Sequence, residues 1–506
     1  MNATKVIYPI VFTVSILMLA FVASAAEPQK PKYAADVPEF LLTPDKVETD
    51  FLGELEFFDG MPSESTVKKV YDFLDLSRGA EAFLNGIPAA SIYALLEGFK
   101  EAGIQPGDLG IMEDLMDARS LFLTAQSTTP YGLAEINVKA GPVVLEIPPG
   151  VLGPVDDAYF RFVSDVGVTG PDQGKGGKYL FIGPDYDGEI PEGYFVAKTP
   201  NYRNMMFFRA FVKDGDIAGA VKGIKDTFRM YPLSQVKNPP KQRFVNVSGK
   251  QFNTIHANDF HFYEELNAVI QYEPADSFNP ELVGLFASIG IKKGEPFAPD
   301  ARMQKILKDA AAIGNATARS IVFRPRNKAI YFYPDRQWYS AFAGGSHEFM
   351  NNGELVLDDR INFHYVATGI TPAMTTPKVG TGSTYAFTAH DAKGQYLDGG
   401  KTYKVTLPAP IPVNNFWSFM VYSGQHRSML ETDQKLAGLD SNSPSVKPNN
   451  DESYTIWFGP KAPKGHEGNW IQTISGKSYN VLLRLYGPLE PWFDKTWKPD
   501  DFELVN

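Results

Sequence analysis

The chain has 506 residues, of which 59 are acidic, 48 are basic and none is cysteine, and its formal net charge is -11. At about 150 residues per domain, this length predicts two to four domains. The acidic balance, without any basic cluster, excludes nucleic acid as an expected partner. Without cysteine there are no disulfide bonds and no thiol nucleophile, so we expect a fold held together by burial alone.

The first 25 residues have the pattern of a secretory signal peptide. Lys5 precedes an apolar run over 6–22, and Ala23-Ser24-Ala25 supplies the small residues of a cleavage site. A membrane anchor is the alternative, because the run reaches the short limit of a membrane span. We predict removal of residues 1–25, export to a bacterial periplasm, and no transmembrane segment in the mature chain.

Helical periodicity marks three stretches of the chain. An amphipathic helix is predicted over 63–103, and Gly86 with Pro88 is expected to divide it in two. A second helix is predicted over 216–230. Residues 258–319 form a helical block, in which an Asn-Pro pair can cap and open one helix.

Short runs separated by Gly and Pro predict β-strands on both sides of the helical block. Five such runs lie between residues 121 and 211: PVVLEIPPG, AYFRFVSDVG, KYLFIGP, GYFVAKTP and MMFFRAFV. In the second of them, Arg161 is expected to pair with Asp157 or with an acid on a neighbouring strand, and a ligand site is the alternative. The β pattern returns beyond Ile321 and continues to the end of the chain. We therefore expect a β-rich body, a helical body and a second β-rich body.

One glycine-rich loop, GPDQGKGGKYLFIGP over 170–184, invites comparison with a phosphate-binding loop. The G-x-x-x-x-G-K-S/T pattern would need a glycine where Asp172 stands and a hydroxyl residue where Tyr179 stands. We therefore predict a tight, glycine-permitted connection into a strand.

Catalytic motifs are missing or incomplete. Ser65-x-x-Lys68 matches only the first element of a Ser/Lys acyl-transfer site, and no G-x-S-x-G sequence occurs. The histidines form no H-E-x-x-H pattern. The sequence therefore identifies no metal site, cofactor or catalytic residue.

Arg484 gives the strongest functional signal, because it stands in an otherwise apolar strand on one face with Leu482 and Tyr486. A buried charge is costly unless it is paired or contacts a ligand. One interpretation is an ion pair with Asp433 or Glu431. The other is an anionic or sugar ligand held by arginines against a tryptophan. The predicted ligand-binding residues are Trp417, Tyr422, Arg427, Asp433, Asn469, Trp470 and Arg484.

Longer stretches resemble two known domains of unknown function. TTPYGLAEINVKAGPVVLEIPPG and DVGVTGPDQGKGGKYLFIGPDYDGEIPEGYFV resemble the domain numbered 1254, and PVNNFWSFMVYSGQHRSMLETDQ with LLRLYGPLEPWFDKTWKP resembles the domain numbered 1214. The resemblance implies an exported bacterial protein, mainly β with a helical insert. Its expected parts are an N-terminal immunoglobulin-like β-sandwich, a small α-helical domain and a C-terminal jelly-roll-like β-sandwich. The resemblance supplies no activity and no catalytic residues.

The corresponding boundaries are residues 1–25 for the signal peptide, 50–235 for the first sandwich with its leading helices, 250–320 for the helical domain and 321–506 for the jelly-roll-like domain.

Two functions fit these observations. The first is an exported periplasmic protein that binds a small or carbohydrate-like envelope ligand in its C-terminal β domain. The alternative is a hydrolase with carboxylates or a metal assembled across strands, drawn from His364, His390, Asp391 and Asp433. A scaffold that forms homo-oligomers through its sheet edges is a third hypothesis.

Overall fold

The computed structural model describes residues 32–340, 342 and 345–505, so the predicted signal peptide lies outside the described residues. The chain divides into two compact units, residues 1–70 and 71–506. The described part of the first unit contains a small antiparallel sheet in the order of its strands, β1 (Lys46–Thr49), β2 (Gly53–Phe58) and β3 (Met61–Pro62).

A single helix, α1 (Glu64–Glu101), replaces the two helices that we expected around Gly86 and Pro88. Gly86 does not break the helix but permits close packing, because a Cβ there would lie 2.9 Å from Leu266 Cδ2. Ile87 and Ala89 are fully buried, and this burial offsets the cost of Pro88, about 3 kcal/mol in a helix interior. By length and composition α1 is able to cross a membrane, but 83% of its apolar 18-residue stretch is buried within the fold.

The N-terminal β-rich body has two large sheets and one two-stranded sheet. Its elements are β4 (Leu109–Ile111), β5 (Ser120–Leu121), β6 (Tyr131–Asn137), β7 (Val143–Ile147), β8 (Val151–Asp157), β9 (Phe162–Gly167), β10 (Gly177–Ile182), β11 (Phe195–Lys198), β12 (Arg203–Ala210), α2 (Ile217–Thr227), β13 (Arg229–Pro232), β14 (Phe244–Asn246) and β15 (Phe252–Asn253). A six-stranded sheet, β14-β4-β6-β12-β8-β9, and a four-stranded sheet, β11-β10-β7-β13, share an apolar core. Alternate residues of β6 and β12 therefore face away from that core, toward the second apolar core of the molecule.

The five predicted strands are confirmed, with one correction. Residues 158–161 form a turn rather than strand, because the Asp157 carboxylate accepts hydrogen bonds from the backbone N–H groups of Tyr159 (2.8 Å) and Arg161 (3.0 Å). The predicted pairing of Arg161 with Asp157 is present, at 2.7 Å.

The glycine-rich loop is a tight connection, as predicted. The Asp172 carboxylate accepts hydrogen bonds from Gly167 N (2.8 Å), Gly176 N (2.9 Å) and Tyr179 Oη (2.6 Å). Gly174 and Gly176 adopt positive φ angles of 76° and 75°, which glycine tolerates best. The loop leads directly into β10.

The helical block contains α3 (His261–Tyr272), α4 (Pro280–Ser288) and α5 (Ala301–Phe323). Asn279 caps α4 as predicted, since its side chain accepts a hydrogen bond from Glu281 N at 2.9 Å. Apolar residues of these helices and of α1 form one core with the C-terminal sheets. The helices therefore pack directly on both β-rich bodies.

Contrary to our expectation, the C-terminal part does not become β directly after Ile321, because α5 extends to Phe323. A two-stranded hairpin and two short helices precede the first strand of the larger sheets, which begins at Ser383. The elements are β16 (Met350–Asn351), β17 (Glu354–Leu355), α6 (Leu357–His364), α7 (Pro372–Thr375), β18 (Ser383–Thr388), β19 (Thr402–Leu407), β20 (Val413–Ser423), β21 (Gly438–Asp440), β22 (Tyr454–Gly459), β23 (Trp470–Gln472), β24 (Tyr479–Pro488), α8 (Glu490–Phe493) and β25 (Glu503–Val505). Two four-stranded sheets, β18-β24-β20-β21 and β23-β22-β19-β25, contribute to a shared apolar core.

Arg203, the first residue of β12, is a buried cation that forms ion pairs with carboxylates. Its guanidinium binds Glu135 with two hydrogen bonds (2.8 and 3.1 Å) and also reaches Glu97 at 3.1 Å. The positive charge is thus compensated by two carboxylates.

We expect Arg203→Met to lower the free energy of unfolding by about 3–5 kcal/mol, because it leaves the buried Glu135 carboxylate without its cation. Glu97 keeps its pair with Lys100. Chemical denaturation measures this loss. The control is Lys222→Met, since Lys222 forms an exposed pair with Asp226; it should change stability by no more than about 0.5 kcal/mol. Equal effects of the two substitutions would contradict the prediction.

Candidate functional site

Arg484 lies in the middle of a sheet and is only 3% exposed. On β24 it stands opposite Tyr385 of β18 and Ser418 of β20. Tyr486 and Leu482 share its face, as the alternation predicts. This face of the sheet looks toward the N-terminal body, not into the core between the two C-terminal sheets.

The contacts of Arg484 come from neutral groups. Its Nη2 donates to Thr124 O (2.6 Å) and to Tyr422 Oη (2.9 Å), and Tyr422 in turn donates to Ala125 O (2.7 Å). Its Nη1 has no hydrogen-bond acceptor among the described residues. The ion pair that we considered with Asp433 or Glu431 is not formed.

A second arginine reaches the same place from the opposing sheet. Arg209 on β12 stands opposite Tyr131 of β6 and is half-buried. Its guanidinium carbon lies 5.6 Å from the Tyr486 ring centre, and its Nη2 lies 3.5 Å from Ser383 Oγ. Within the described residues it makes no ion pair with a carboxylate. No pattern in the sequence predicted a role for this residue.

Neutral phenols surround the two guanidinium groups. Burial raises the pKa of Tyr422 to about 12 and also raises the pKa of Tyr131, so both phenols are protonated at pH 7. They supply dipoles but no negative charge. Two further buried hydroxyl groups on this face, Ser418 Oγ and Tyr486 Oη, have no partner among the described residues. We define the arginine junction as Tyr131, Arg209, Tyr385, Ser418, Tyr422, Arg484 and Tyr486.

The backbone next to the junction is strained. Thr124, whose carbonyl accepts the hydrogen bond from Arg484, has a φ of 44°. A β-branched residue rarely adopts this left-handed conformation, which persists only where surrounding contacts impose it. Such strain concentrates at functional sites, so it supports a functional role for the junction.

Arg427 is buried at a separate place. Its guanidinium lies 3.8 Å from the Tyr365 ring centre and donates to Tyr365 O (2.8 Å), and its Nη1 lies 3.4 Å from His256 Nε2. Burial lowers the pKa of Arg427 to about 10, so the side chain stays charged at neutral pH. These contacts connect α6 with the segment before α3.

Trp417 is not beside Arg484. On β20 it stands opposite Leu485, on the other face of the sheet, and its ring packs against Phe419 and Tyr454 at 5.9 and 5.2 Å. Alternation along the strand places it in the apolar core, where it cannot act as the platform that we predicted.

The remaining predicted ligand-binding residues lie around β22 and β23 and bind neighbouring groups. Trp470 Nε1 donates to Gly459 O (2.9 Å), Asn469 Nδ2 donates to Lys447 O (2.8 Å), and Asp433 accepts from Gln472 Nε2 (3.1 Å). Of the seven predicted residues, the structure brings only Tyr422 and Arg484 into direct contact.

The groups considered for a hydrolase do not form a common centre. His364 Nδ1 bonds to the Arg360 carbonyl at 2.8 Å, whereas His390 stacks on Tyr396 with ring centres 4.9 Å apart. Burial lowers the pKa of His364 to about 3 and that of His390 to about 4. Asp391 instead accepts backbone bonds from its own turn. In the described ranges, no group of three or more His, Cys, Asp or Glu side chains could hold a metal ion.

Family models match two parts of the chain, both described as proteins of unknown function. The DUF1254 model matches residues 106–232 and the DUF1214 model matches residues 382–490. The chain therefore carries these paired domains in the predicted order. The arginine junction is made by both: Tyr131 and Arg209 lie in the first, and its other residues lie in the second.

Solved structures confirm a β-rich fold. The VPA0106 protein from Vibrio parahaemolyticus is 18% identical, with a TM-score of 0.54 over 85% of this chain and 100% of its own. An uncharacterized Burkholderia cenocepacia protein is 10% identical, with a TM-score of 0.37 over 86% and 96% of the two chains; a likeness this low carries no argument. No curated protein matches the chain.

The environment of His256 predicts a loss of stability in acid. Burial, followed by the nearby charge of Arg427, lowers the pKa of His256 to about 3, against about 6.5 when the chain is unfolded. The unfolded chain therefore binds the extra proton between pH 6.5 and 3, so stability falls as the pH falls through this window.

His256→Gln should remove this contribution and reduce the stability loss between pH 7 and 4.5 by roughly 2–3 kcal/mol. Denaturation curves at several pH values measure the slope. His261→Gln is the matched control, because His261 is exposed and pairs with Asp259 (2.9 Å), which raises its pKa. A wild-type slope in His256→Gln would show that the prediction is wrong.

Proposed function

We propose that this protein binds a small anionic ligand at the arginine junction, between the DUF1254 and DUF1214 domains. The observation that carries the proposal is that Arg209 and Arg484 approach the neighbouring rings of Tyr486 and Tyr385 from opposing sheets, and neither arginine has a carboxylate partner among the described residues. Guanidinium groups bind carboxylates and phosphates strongly and with a fixed geometry. An anion is the partner that both charges lack.

The cost of the arrangement supports this proposal. A buried arginine without a counter-charge is expensive, and two of the same sign add repulsion. A purely structural core would be at least as stable with apolar residues of similar volume. Arg484 Nη1 and the hydroxyl groups of Ser418 and Tyr486 have no partner in the described part of the chain, and each can donate a hydrogen bond to an anion.

The proposal changes the earlier expectation in two respects. The ligand lies where two domains meet rather than within the C-terminal β domain alone, and its arginines are Arg484 and Arg209 rather than Arg484 and Arg427. The hydrolase alternative gains no support from the residues that we considered for it.

The location of the protein and its domain types are also proposals. Export to a bacterial periplasm is supported by the pattern of residues 1–25. The immunoglobulin-like and jelly-roll-like classes are supported by the pairing of sheets in each β-rich body. Homo-oligomerisation remains a proposal that analytical ultracentrifugation can test.

Titration with sulfate, phosphate and acetate at constant ionic strength tests the binding proposal. We expect each anion that binds to raise the midpoint of thermal unfolding. An anion concentration of one hundred times the dissociation constant should raise the free energy of unfolding by about 2.7 kcal/mol. Calorimetry of the same solutions should give one site per chain. Chloride at the same ionic strength is the reference.

Arg209→Met should abolish the anion-dependent stabilisation without weakening the protein. In the absence of anion, the free energy of unfolding should be unchanged or higher by about 1 kcal/mol, because an uncompensated charge is removed. The matched control is Arg319→Met, since that guanidinium binds backbone carbonyls of residues 424 and 425. Wild-type anion binding in Arg209→Met, or none in the wild-type protein, would overturn the proposal.

A further inference from the structure

We infer that the anionic group of the ligand is attached to a planar aromatic body, as in an aryl carboxylate or an aryl phosphate. This inference rests on the proposed function and adds the chemical class of the ligand. It follows from what surrounds the two arginines.

Three half-buried side chains near the arginines are aromatic. Arg484 and Tyr486 are almost completely buried, whereas Phe207, Tyr385 and Phe416 are half-buried, like Arg209 itself. Phe207 lies two residues before Arg209 on the same face of β12, and Phe416 stands opposite Tyr486 on β20. Ring surfaces therefore border the arginines, together with the half-buried Leu152, which stands opposite Arg209 on β8.

The rings are already arranged in stacked layers. Phe416 and Tyr486 stack with ring centres 4.0 Å apart and planes 17° apart. The Arg209 guanidinium lies 5.6 Å from the Tyr486 ring centre, and the Arg484 guanidinium lies 6.0 Å from that of Tyr385. A flat ligand can extend such a layered arrangement, whereas a puckered one cannot match it.

The polar groups of the junction argue against the carbohydrate ligand that we first considered. Sugar hydroxyls need acceptors as well as donors, and protein sites usually supply them with carboxylate or amide oxygens. The arginine junction contains no Asp, Glu, Asn or Gln. Gln126 follows Ala125 in the segment that borders the junction. Its side-chain oxygen already accepts hydrogen bonds from Thr128 N (2.5 Å) and Thr129 N (3.1 Å).

Paired probes that differ only in the ring test the inference. Benzoate is compared with acetate, and phenyl phosphate with inorganic phosphate, by calorimetry on the mature chain. We expect each aryl anion to bind at least tenfold more tightly than its ring-free counterpart. Cyclohexanecarboxylate, which has the same carbon count as benzoate but a puckered ring, should bind several-fold more weakly than benzoate.

Phe207→Leu should reduce the preference for benzoate over acetate to within about threefold, because it removes an aromatic ring beside Arg209. Phe195→Leu is the matched control, because Phe195 lies on β11 and is 37% exposed; it should keep the full preference. Circular dichroism and the thermal midpoint establish that both variants fold.

The outcomes separate the two proposals. If acetate and phosphate bind but the aryl anions bind no more tightly, the aromatic class is wrong and the anion site stands. If no anion binds, the proposed function fails. A preference that survives in Phe207→Leu would overturn the assignment of the ring-binding surface.

Discussion

The charge of Arg484, held between two sheets without a carboxylate, is the constraint on which the rest of the junction depends. Its Nη2 fixes the Thr124 carbonyl and the Tyr422 hydroxyl, and Tyr422 fixes the Ala125 carbonyl. The segment before β6 is thereby held against the C-terminal sheet, with Thr124 in a strained conformation. One buried cation thus ties the DUF1254 domain to the DUF1214 domain, and it does so with neutral groups that leave its charge uncompensated.

Two arginines on strand β12 differ in whether a carboxylate accompanies the guanidinium group. Elsewhere in the fold, Arg427 is also buried without a carboxylate partner among the described residues. Arg203 begins the strand and is bound by Glu97 and Glu135, whereas Arg209, near its end, has only a hydroxyl at 3.5 Å and an aromatic ring. Both arginines lie on the same strand, so the strand itself does not determine whether a carboxylate is present. The fold can therefore supply carboxylates to a buried guanidinium where stability alone is served, and the junction lacks them where we propose that a ligand supplies the negative charge.

Sequence patterns predicted local features better than the site. Strand alternation placed Arg484, Leu482 and Tyr486 on one face. The face of Trp417 depends on the register of β20 against β24, which pairs Trp417 with Leu485 and which the sequence does not show. Arg209 was missed because its run, MMFFRAFV, reads as an ordinary strand; only pairing between distant strands brings it to Tyr486. Pro88 was misjudged for a related reason, since packing against α3 keeps α1 continuous despite the local preference. Long-range contacts decided each case that local pattern could not.

A crystal structure of the mature protein grown with selenate tests the central claim most directly. Selenate has the charge and shape of sulfate, and the anomalous signal of selenium locates it without ambiguity against water. We predict an anomalous peak between the guanidinium groups of Arg209 and Arg484, with an oxygen within hydrogen-bonding distance of Arg484 Nη1, and no such peak in Arg209→Met crystals. A junction that holds only water at a saturating selenate concentration, or that is filled by protein side chains, would contradict the account.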